Sequence, residues 1–251
     1  AEDREKYRIY GDLIISNIHL IKKSTTNITV ENYYNENINP ITIPLDPRLA
    51  PSQNAQKYYK KYNKLKKAEE ELVKLIRSTE NEIMYLENIM YNIEQCSNIS
   101  EIEEIREELS LQGLLKRKKT NNKISLKKSK PLCFISSGGF EILVGKNNKQ
   151  NDLLTFKISK KDDIWLHTKQ IPGSHVILRT NGVNVNDNDL IDAARLAAYY
   201  SKGRNSSSVE VDYTKRINVK KPNGSKPGFV IYDNYYSVVV EPDITNISIK
   251  E

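Results

Sequence analysis

The chain has 251 residues, of which 38% are hydrophobic and 28% are charged, and its formal net charge is +7. This length allows one large or two small domains, and no run approaches the roughly 18 apolar residues of a membrane span. Two cysteines are too few for a disulfide framework and too isolated for a zinc site, which favours a reducing cytoplasm. We therefore expect a protein with no cofactor and no membrane partner. Its charged, helix-like start predicts a fragment of a longer protein.

The charge is unevenly placed along the chain. Residues 1–115 contain 15 Lys/Arg and 19 Asp/Glu, whereas residues 116–251 contain 24 Lys/Arg and 13 Asp/Glu. Residues 116–130 include eight cations and no acid. A solvated linker explains such a run, but it adjoins a C-terminal part that is itself positive and suits a polyanionic partner. We predict a helical arm over 1–115, a basic linker over 116–130 and an RNA-binding domain over 131–251.

The first half of the chain reads as a helix, a hairpin and a bend. Residues 3–23 have a helical apolar side, and two β-prone runs, 28–30 and 41–43, flank a polar Asn-rich stretch and predict a hairpin. Three prolines then mark a bend, with Ser52 as the predicted N-cap of a long helix. The apolar side of the first helix consists of Tyr10, Leu13, Ile14, Asn17, Leu20 and Ile21.

A long helix over residues 54–95 is the clearest secondary-structure signal. Its apolar seam repeats at spacings of three and four for more than four heptads, and only Glu69 and Thr79 break it. We predict that the first helix pairs with it as an antiparallel coiled-coil arm, and a homodimeric coiled coil is the competing account. A shorter helix around Ile105 should follow and end at Gly113.

Short β-prone runs and turn signals dominate after the basic linker. Two helices are expected, one opening at Asn147 or Asn148 and one at Asp187 or Asn188. Because strands outnumber helices without alternating with them regularly, the predicted fold class is α+β. The strand candidates are Cys133–Ser136, Glu141–Val144, Ile164–Lys169, His175–Arg179, Val209–Tyr213, Gly228–Tyr232 and Tyr236–Val240.

The stretch from Asp162 to His175 holds the only tryptophan and two of the three histidines. In an extended strand, Trp165, His167 and Lys169 share one face, which would offer an aromatic ring, an imidazole and an ammonium to a nucleic acid. The alternative is that another element covers this face and Trp165 belongs to the core.

Further candidates for RNA contact lie at turns and at a helix start. Residues 145–152 follow a predicted strand and open a helix, where free amide groups favour anions; ordinary Asn capping explains the same residues. Cations near strand ends and Pro/Gly turns predict a basic edge. Together with the Trp165 row and His175, the candidate RNA-binding residues are Lys146, Asn147, Asn148, Lys149, Arg204, Lys215, Lys220 and Lys221.

A catalytic function is the weaker alternative. Asp162, Asp163, His167 and His175 could form a metal or acid–base set. However, the chain contains no HExxH, CxxC, GxSxG or Walker signature. We therefore expect no enzyme, with no catalytic residue and no metal.

Several motifs in order resemble the NFACT family, also labelled fibronectin-binding protein A. The segments similar to its C-terminal NFACT-R domain are Leu143–Asn151, Trp165–Lys169, Ile171–Val176, Ser206–Val209, Val211–Thr214 and Val219–Gly224. Those similar to its middle coiled coil are Leu45–Pro47, Asn54–Tyr59 and Ile105–Leu109.

The resemblance implies a coiled-coil arm followed by an α+β NFACT-R domain in a cytosolic ribosome quality control factor. Its expected partners are the large ribosomal subunit, through rRNA and ribosomal protein, and charged tRNA for untemplated alanine addition to stalled chains. The family's second label makes fibronectin an alternative partner, as for an adhesin module.

Overall fold

The structure is a computed structural model that describes residues 2–35, 38–116 and 129–250. Most of the predicted basic linker, residues 117–128, lies outside the described residues. Contacts divide the chain into two compact units, one up to Glu80 and one from Asn81 onward. Among the described residues, no helix is long and apolar enough to cross a membrane.

The first unit contains a helix, a hairpin and the start of the long helix. Its elements are α1 (Glu2–Ser16), β1 (Asn27–Glu31), β2 (Pro40–Pro44) and the first part of α2 (Pro51–Glu94). β1 and β2 pair antiparallel, which confirms the predicted hairpin. Helix α1 is shorter than predicted, and α2 begins at Pro51, a residue suited to the first helical position, so Ser52 is not its N-cap.

Helices α1 and α2 run antiparallel within this unit. Arg4 forms an ion pair with Glu69, while Tyr59, ten residues earlier on α2, donates a 2.7 Å hydrogen bond to Asp12. A Cβ on Gly11 would lie 2.6 Å from the Tyr59 ring, so glycine permits the close approach of the two helices. Glu69, which interrupts the apolar seam, thus serves as a partner for α1.

The pairing with α1 covers the seam only up to Glu69. The later apolar residues of the predicted seam are exposed, whereas Tyr85 and Ile89, on another side of α2, pack with Ile105 of the following helix. The homodimer alternative stays a prediction for the exposed residues. These residues are Leu72, Ile76, Ile83, Leu86, Met90 and Ile93.

The second unit is built on a seven-stranded antiparallel sheet. Its strands are β3 (Leu132–Ile135), β4 (Glu141–Val144), β5 (Ile164–Thr168), β6 (Val176–Leu178), β7 (Val209–Lys215), β10 (Tyr236–Val240) and β11 (Ser248–Ile249). A separate pair, β8 (Val219–Lys220) and β9 (Ile231–Tyr232), forms a small hairpin. The strand order in the large sheet is β10-β7-β5-β6-β4-β3-β11. The predicted α+β class is confirmed.

Both faces of the sheet are partly covered by other elements. The remaining helices are α3 (Ile99–Leu111), α4 (Asn148–Leu153) and α5 (Asp187–Tyr199). The alanine-rich side of α5 packs on the face that presents Leu166 and Val211. On the opposite face, Leu154 and Val219 pack against Trp165 and Ile177.

Local capping explains where the two predicted helices of this unit begin. Asn147 caps α4 by accepting a 2.9 Å hydrogen bond from the Gln150 amide, as expected for an Asn N-cap. Helix α5 begins at Asp187, one of the two predicted positions, and its N-cap is Asn186, which forms a reciprocal capping box with Asp189.

Candidate nucleic-acid interface

The structure places Trp165 in the core. Its side chain is 1% exposed, and its ring centroid lies 4.8 Å from that of Tyr232 and 5.9 Å from that of His167. The predicted strand alternation is correct, because Trp165 and His167 do share a face. The β8–β9 hairpin covers that face through Tyr232 and Val219, so no face of the indole is open to a nucleotide base.

Burial disfavours the charged form of the two histidines beside Trp165. Burial lowers the pKa of His167 and lowers that of His175 further, where the neighbouring His167 adds to the effect. Nδ1 of His175 lies 2.8 Å from the Thr155 hydroxyl. Both rings pack against that of Trp165, with centroids 5.9 Å away for His167 and 5.2 Å away for His175.

The acid–base set considered from the sequence does not assemble. Asp163 is buried and accepts hydrogen bonds from the amides of Lys160 and Thr180, at 2.8 and 3.0 Å. It therefore holds a turn together instead of facing His167 or His175. The described ranges contain no group of three or more His, Cys, Asp or Glu side chains placed to hold a metal ion.

Residues 146–149 are each bound by a carboxylate of α3. The distances are 2.6 Å from Lys146 to Glu101, 2.8 Å from Asn147 to Glu104, 3.0 Å from Asn148 to Glu108 and 2.8 Å from Lys149 to Glu107. One acidic helix face thus occupies the polar groups that we predicted would meet phosphate.

Two of the four carboxylates, those of Glu101 and Glu108, are buried. Burial alone would raise the pKa of Glu101, but hydrogen bonds from Lys146 and Ser97 outweigh it and the pKa is lowered. For Glu108 burial prevails and the pKa is raised, against hydrogen bonds from Asn148 and Tyr85. In this conformation, a phosphate that binds Lys146 must displace the carboxylate of Glu101.

Most of the remaining predicted cations also have partners within the chain. Lys169 pairs with Glu210 at 2.7 Å, Lys220 with Asp233 at 3.1 Å and Lys221 with Asp152 at 2.6 Å. The Arg204 guanidinium lies 3.9 Å from the centre of the Tyr199 ring. The structure does not gather the twelve candidate residues into one exposed surface.

Lys215 differs from these residues, because it is exposed and close to cations that the sequence pattern does not single out. The amide of Arg216 donates to the carbonyl of Asp163 at 2.8 Å, and that of Ile217 donates to the carbonyl of Lys161 at 3.2 Å. These bonds bring the end of β7 against the loop before β5. We define the basic cluster as Lys157, Lys160, Lys161 and Lys215, all exposed.

None of the four ammonium groups in the basic cluster has an ion pair with a residue that the structure describes. Arg216 adds a guanidinium over the Phe156 ring, 5.3 Å from its centre, and donates to the Thr155 carbonyl. In the sequence, Asp162 and Asp163 directly follow Lys160 and Lys161, so this segment does not stand out as basic. In the structure, Asp163 is buried. Four exposed ammonium groups in one region can bind phosphates.

Two family models match successive parts of the chain. Residues 1–128 match the family described as NFACT N-terminal and middle domains, and residues 130–233 match the NFACT protein RNA binding domain. The chain is similar to Rqc2 homolog RqcH of Bacillus subtilis (strain 168), at 43% identity over 98% of the chain and 43% of the relative. For the protein of that name from Streptococcus suis (strain 05ZYH33), the identity is 44% over 96% of the chain and 43% of the relative.

A solved structure has the same fold over nearly the whole chain. It is the C-terminal part of the fibronectin/fibrinogen-binding protein from Streptococcus suis, with a TM-score of 0.70 and 39% identity. The alignment covers 96% of this chain and 85% of that one. The chain spans less than half the length of the two RqcH relatives.

Proposed function

Because the chain belongs to the NFACT family, we propose that it is the RNA-binding part of a ribosome quality control factor. The match of residues 130–233 to an RNA binding domain supports RNA as the partner. The names of the relatives, which are homologues of Rqc2, support the setting in ribosome quality control.

The basic cluster is the observation that carries RNA contact. Its four lysines are exposed, and no carboxylate of the described residues neutralises them, whereas the cations at 146–149 are already bound by acids. Binding to phosphate releases counterions from the nucleic acid, so unpaired ammonium groups gain more from RNA than paired ones. We therefore assign the main phosphate contacts to this cluster.

The finer role that we propose is binding to the obstructed large ribosomal subunit, through rRNA and ribosomal protein, in the cytoplasm. The whole factor would then recruit charged tRNA for untemplated alanine addition to the stalled chain. Peptide-bond formation would remain the chemistry of the ribosome, so the proposal needs no catalytic residue and no cofactor in this chain.

RNA titrations over a range of salt concentrations test the cluster. We expect Lys160→Ala/Lys161→Ala/Lys215→Ala to weaken RNA binding and to lower the salt slope by roughly 2–3 units, at 0.7–0.9 units per lost phosphate contact. Lys60→Ala/Lys64→Ala/Lys67→Ala is the matched control, because it removes the same charge from exposed positions on α2.

If the two triple variants lower the slope equally, the cluster is not the RNA site. In cells, the same substitutions in the full-length protein should reduce its cosedimentation with large ribosomal subunits and its crosslinks to rRNA and tRNA. Unchanged crosslinks to both RNAs would contradict the proposed role.

Fibronectin binding is the second candidate, favoured by the name of the structural relative, a fibronectin/fibrinogen-binding protein. It would appear as saturable binding of the chain to immobilised fibronectin at physiological salt, where weak attraction between exposed charges is largely screened. Binding lost on adding that salt would reflect the positive net charge alone and would remove this candidate.

A further inference from the structure

Two tyrosine rings form a stack at the edge of the sheet. Tyr213 on β7 and Tyr236 on β10 are register partners, and their ring centroids lie 5.7 Å apart with planes 30° from parallel. Strand β10 is the last strand of the sheet on this side. Tyr213 is partly buried against the main core, while Tyr236 is 68% exposed.

This arrangement holds one aromatic ring rigidly in solvent. Tyr213 rests on the core and supports Tyr236 from one side, which leaves most of the Tyr236 side chain in water. Tyrosine is enriched at binding interfaces, because its ring offers apolar area to a partner while its hydroxyl can remain hydrogen-bonded. Because Tyr236 is mostly exposed, its ring contributes little to the core and is available to a binding partner.

The stack lies beside the basic cluster. Lys215 is two residues after Tyr213 on the same strand, so both side chains point to the same face of the sheet. Backbone hydrogen bonds from Arg216 and Ile217 place Lys160 and Lys161 against the end of that strand. Lys215 and the exposed ring of Tyr236 thus lie on the same face of the sheet, on neighbouring strands.

We propose that Tyr236, supported by Tyr213, is a stacking platform for an unpaired base of single-stranded RNA. This inference rests on the proposed function, because the phosphates of the same strand would lie on the basic cluster. Bases inside a duplex already stack on both faces, whereas a splayed base of a single strand has a face to offer. The chain should therefore prefer single-stranded RNA to duplex RNA.

Charge favours RNA over a protein segment at this edge. An edge strand can also pair with an extended peptide, but Lys215, with Lys160 and Lys161 at the end of the same strand, attracts a polyanion and repels a basic chain. The ring face, and not the backbone edge of β10, is the feature that the test must probe.

The test compares an unstructured RNA strand with its duplex, titrated against the chain and its variants. We expect Tyr236→Ala to weaken single-strand binding about 5- to 150-fold and to leave the salt slope unchanged, because a stacked base contributes no phosphate contact. Tyr236→Phe should retain the parent affinity, and affinity for the duplex should be the same in all three proteins. The exposed position makes folding of both variants straightforward to verify by circular dichroism.

Equal single-strand affinity of the parent and Tyr236→Ala would overturn the platform, and so would equal losses for single strand and duplex. A flattened salt slope for Lys160→Ala/Lys161→Ala/Lys215→Ala in the same experiment would show that RNA binding itself stands. If neither variant changes RNA binding, the proposed function fails together with the platform.

Discussion

The two groups of cations in the second unit differ in what faces them. Lys146 and Lys149 meet carboxylates of α3 at 2.6 and 2.8 Å. The four lysines of the basic cluster meet no carboxylate among the described residues. Before folding the two groups look alike, as short polar runs with several lysines. Whether a lysine is available to a phosphate is therefore decided by the partner that the fold supplies, and substitutions in each group test this difference.

The largest effect is expected for Trp165→Ala. Because the ring is fully buried against Tyr232 and His167, its loss should reduce the free energy of unfolding by about 3–5 kcal/mol. Chemical denaturation measures this change, and Tyr236→Ala is the exposed control, with less than about 0.5 kcal/mol expected. A small change in the free energy of unfolding for Trp165→Ala would mean that the indole does not belong to the core.

Removing the acids should turn the occupied cations into available ones. In Glu101→Gln/Glu107→Gln, Lys146 and Lys149 lose their partners, so RNA binding should strengthen and the salt slope should rise by up to roughly 1.4–1.8 units. Loss of the half-buried Glu101–Lys146 pair should also cost about 1–3 kcal/mol of stability.

The matched control for this variant is Glu94→Gln/Glu103→Gln, which removes the same charge from exposed positions. An equal rise of the salt slope in the control would mean that net charge, and not release of Lys146 and Lys149, is responsible.

Acid should destabilise the folded region around Trp165 without changing RNA binding by the basic cluster. In the folded chain, burial lowers the pKa of His167 and lowers that of His175 further. In the unfolded chain both histidines have the ordinary pKa of about 6.5, so below this pH the unfolded chain binds more protons than the folded chain. Stability should therefore fall as the pH drops below about 6.5, by up to about 1.4 kcal/mol per pH unit for each histidine.

Denaturation curves at a series of pH values test this expectation. His175→Phe keeps an aromatic ring beside Trp165 and should reduce the dependence of stability on pH between pH 6.5 and 5. An unchanged slope would assign the acid sensitivity to other groups. The salt slope of RNA binding should stay constant over the same pH range, since the basic cluster contains no histidine.

The smallest effects are expected for the exposed ion pairs. Lys169→Ala and Lys220→Ala each remove a pair on the protein surface, which should cost less than about 1 kcal/mol of stability. Both lysines are already partnered, so RNA affinity should change less than for any lysine of the basic cluster. A loss as large as that for Lys215→Ala would mean that exposed ion pairs open readily to RNA.

Several features of the fold could be predicted from the sequence because they depend on neighbours in the chain. The β1–β2 hairpin, the long helix α2 and the Asn147 cap follow from short-range patterns of β-branched, apolar and capping residues. The shared face of Trp165 and His167 follows from strand alternation alone. The position of Lys215 at a strand end marks it as a candidate, and the structure leaves it exposed.

Tertiary structure alone decided which of these polar and aromatic groups are open to a partner. Trp165 is covered by residues that follow it by more than 50 positions in sequence, and Lys146 is held by an acid 45 positions before it. The stack of Tyr213 and Tyr236 requires the pairing of β7 with β10, and the basic cluster requires the end of β7 to meet the loop before β5. Local patterns specify which side of an element a residue occupies. The element that packs on that side is chosen by contacts between distant segments, which no local periodicity encodes.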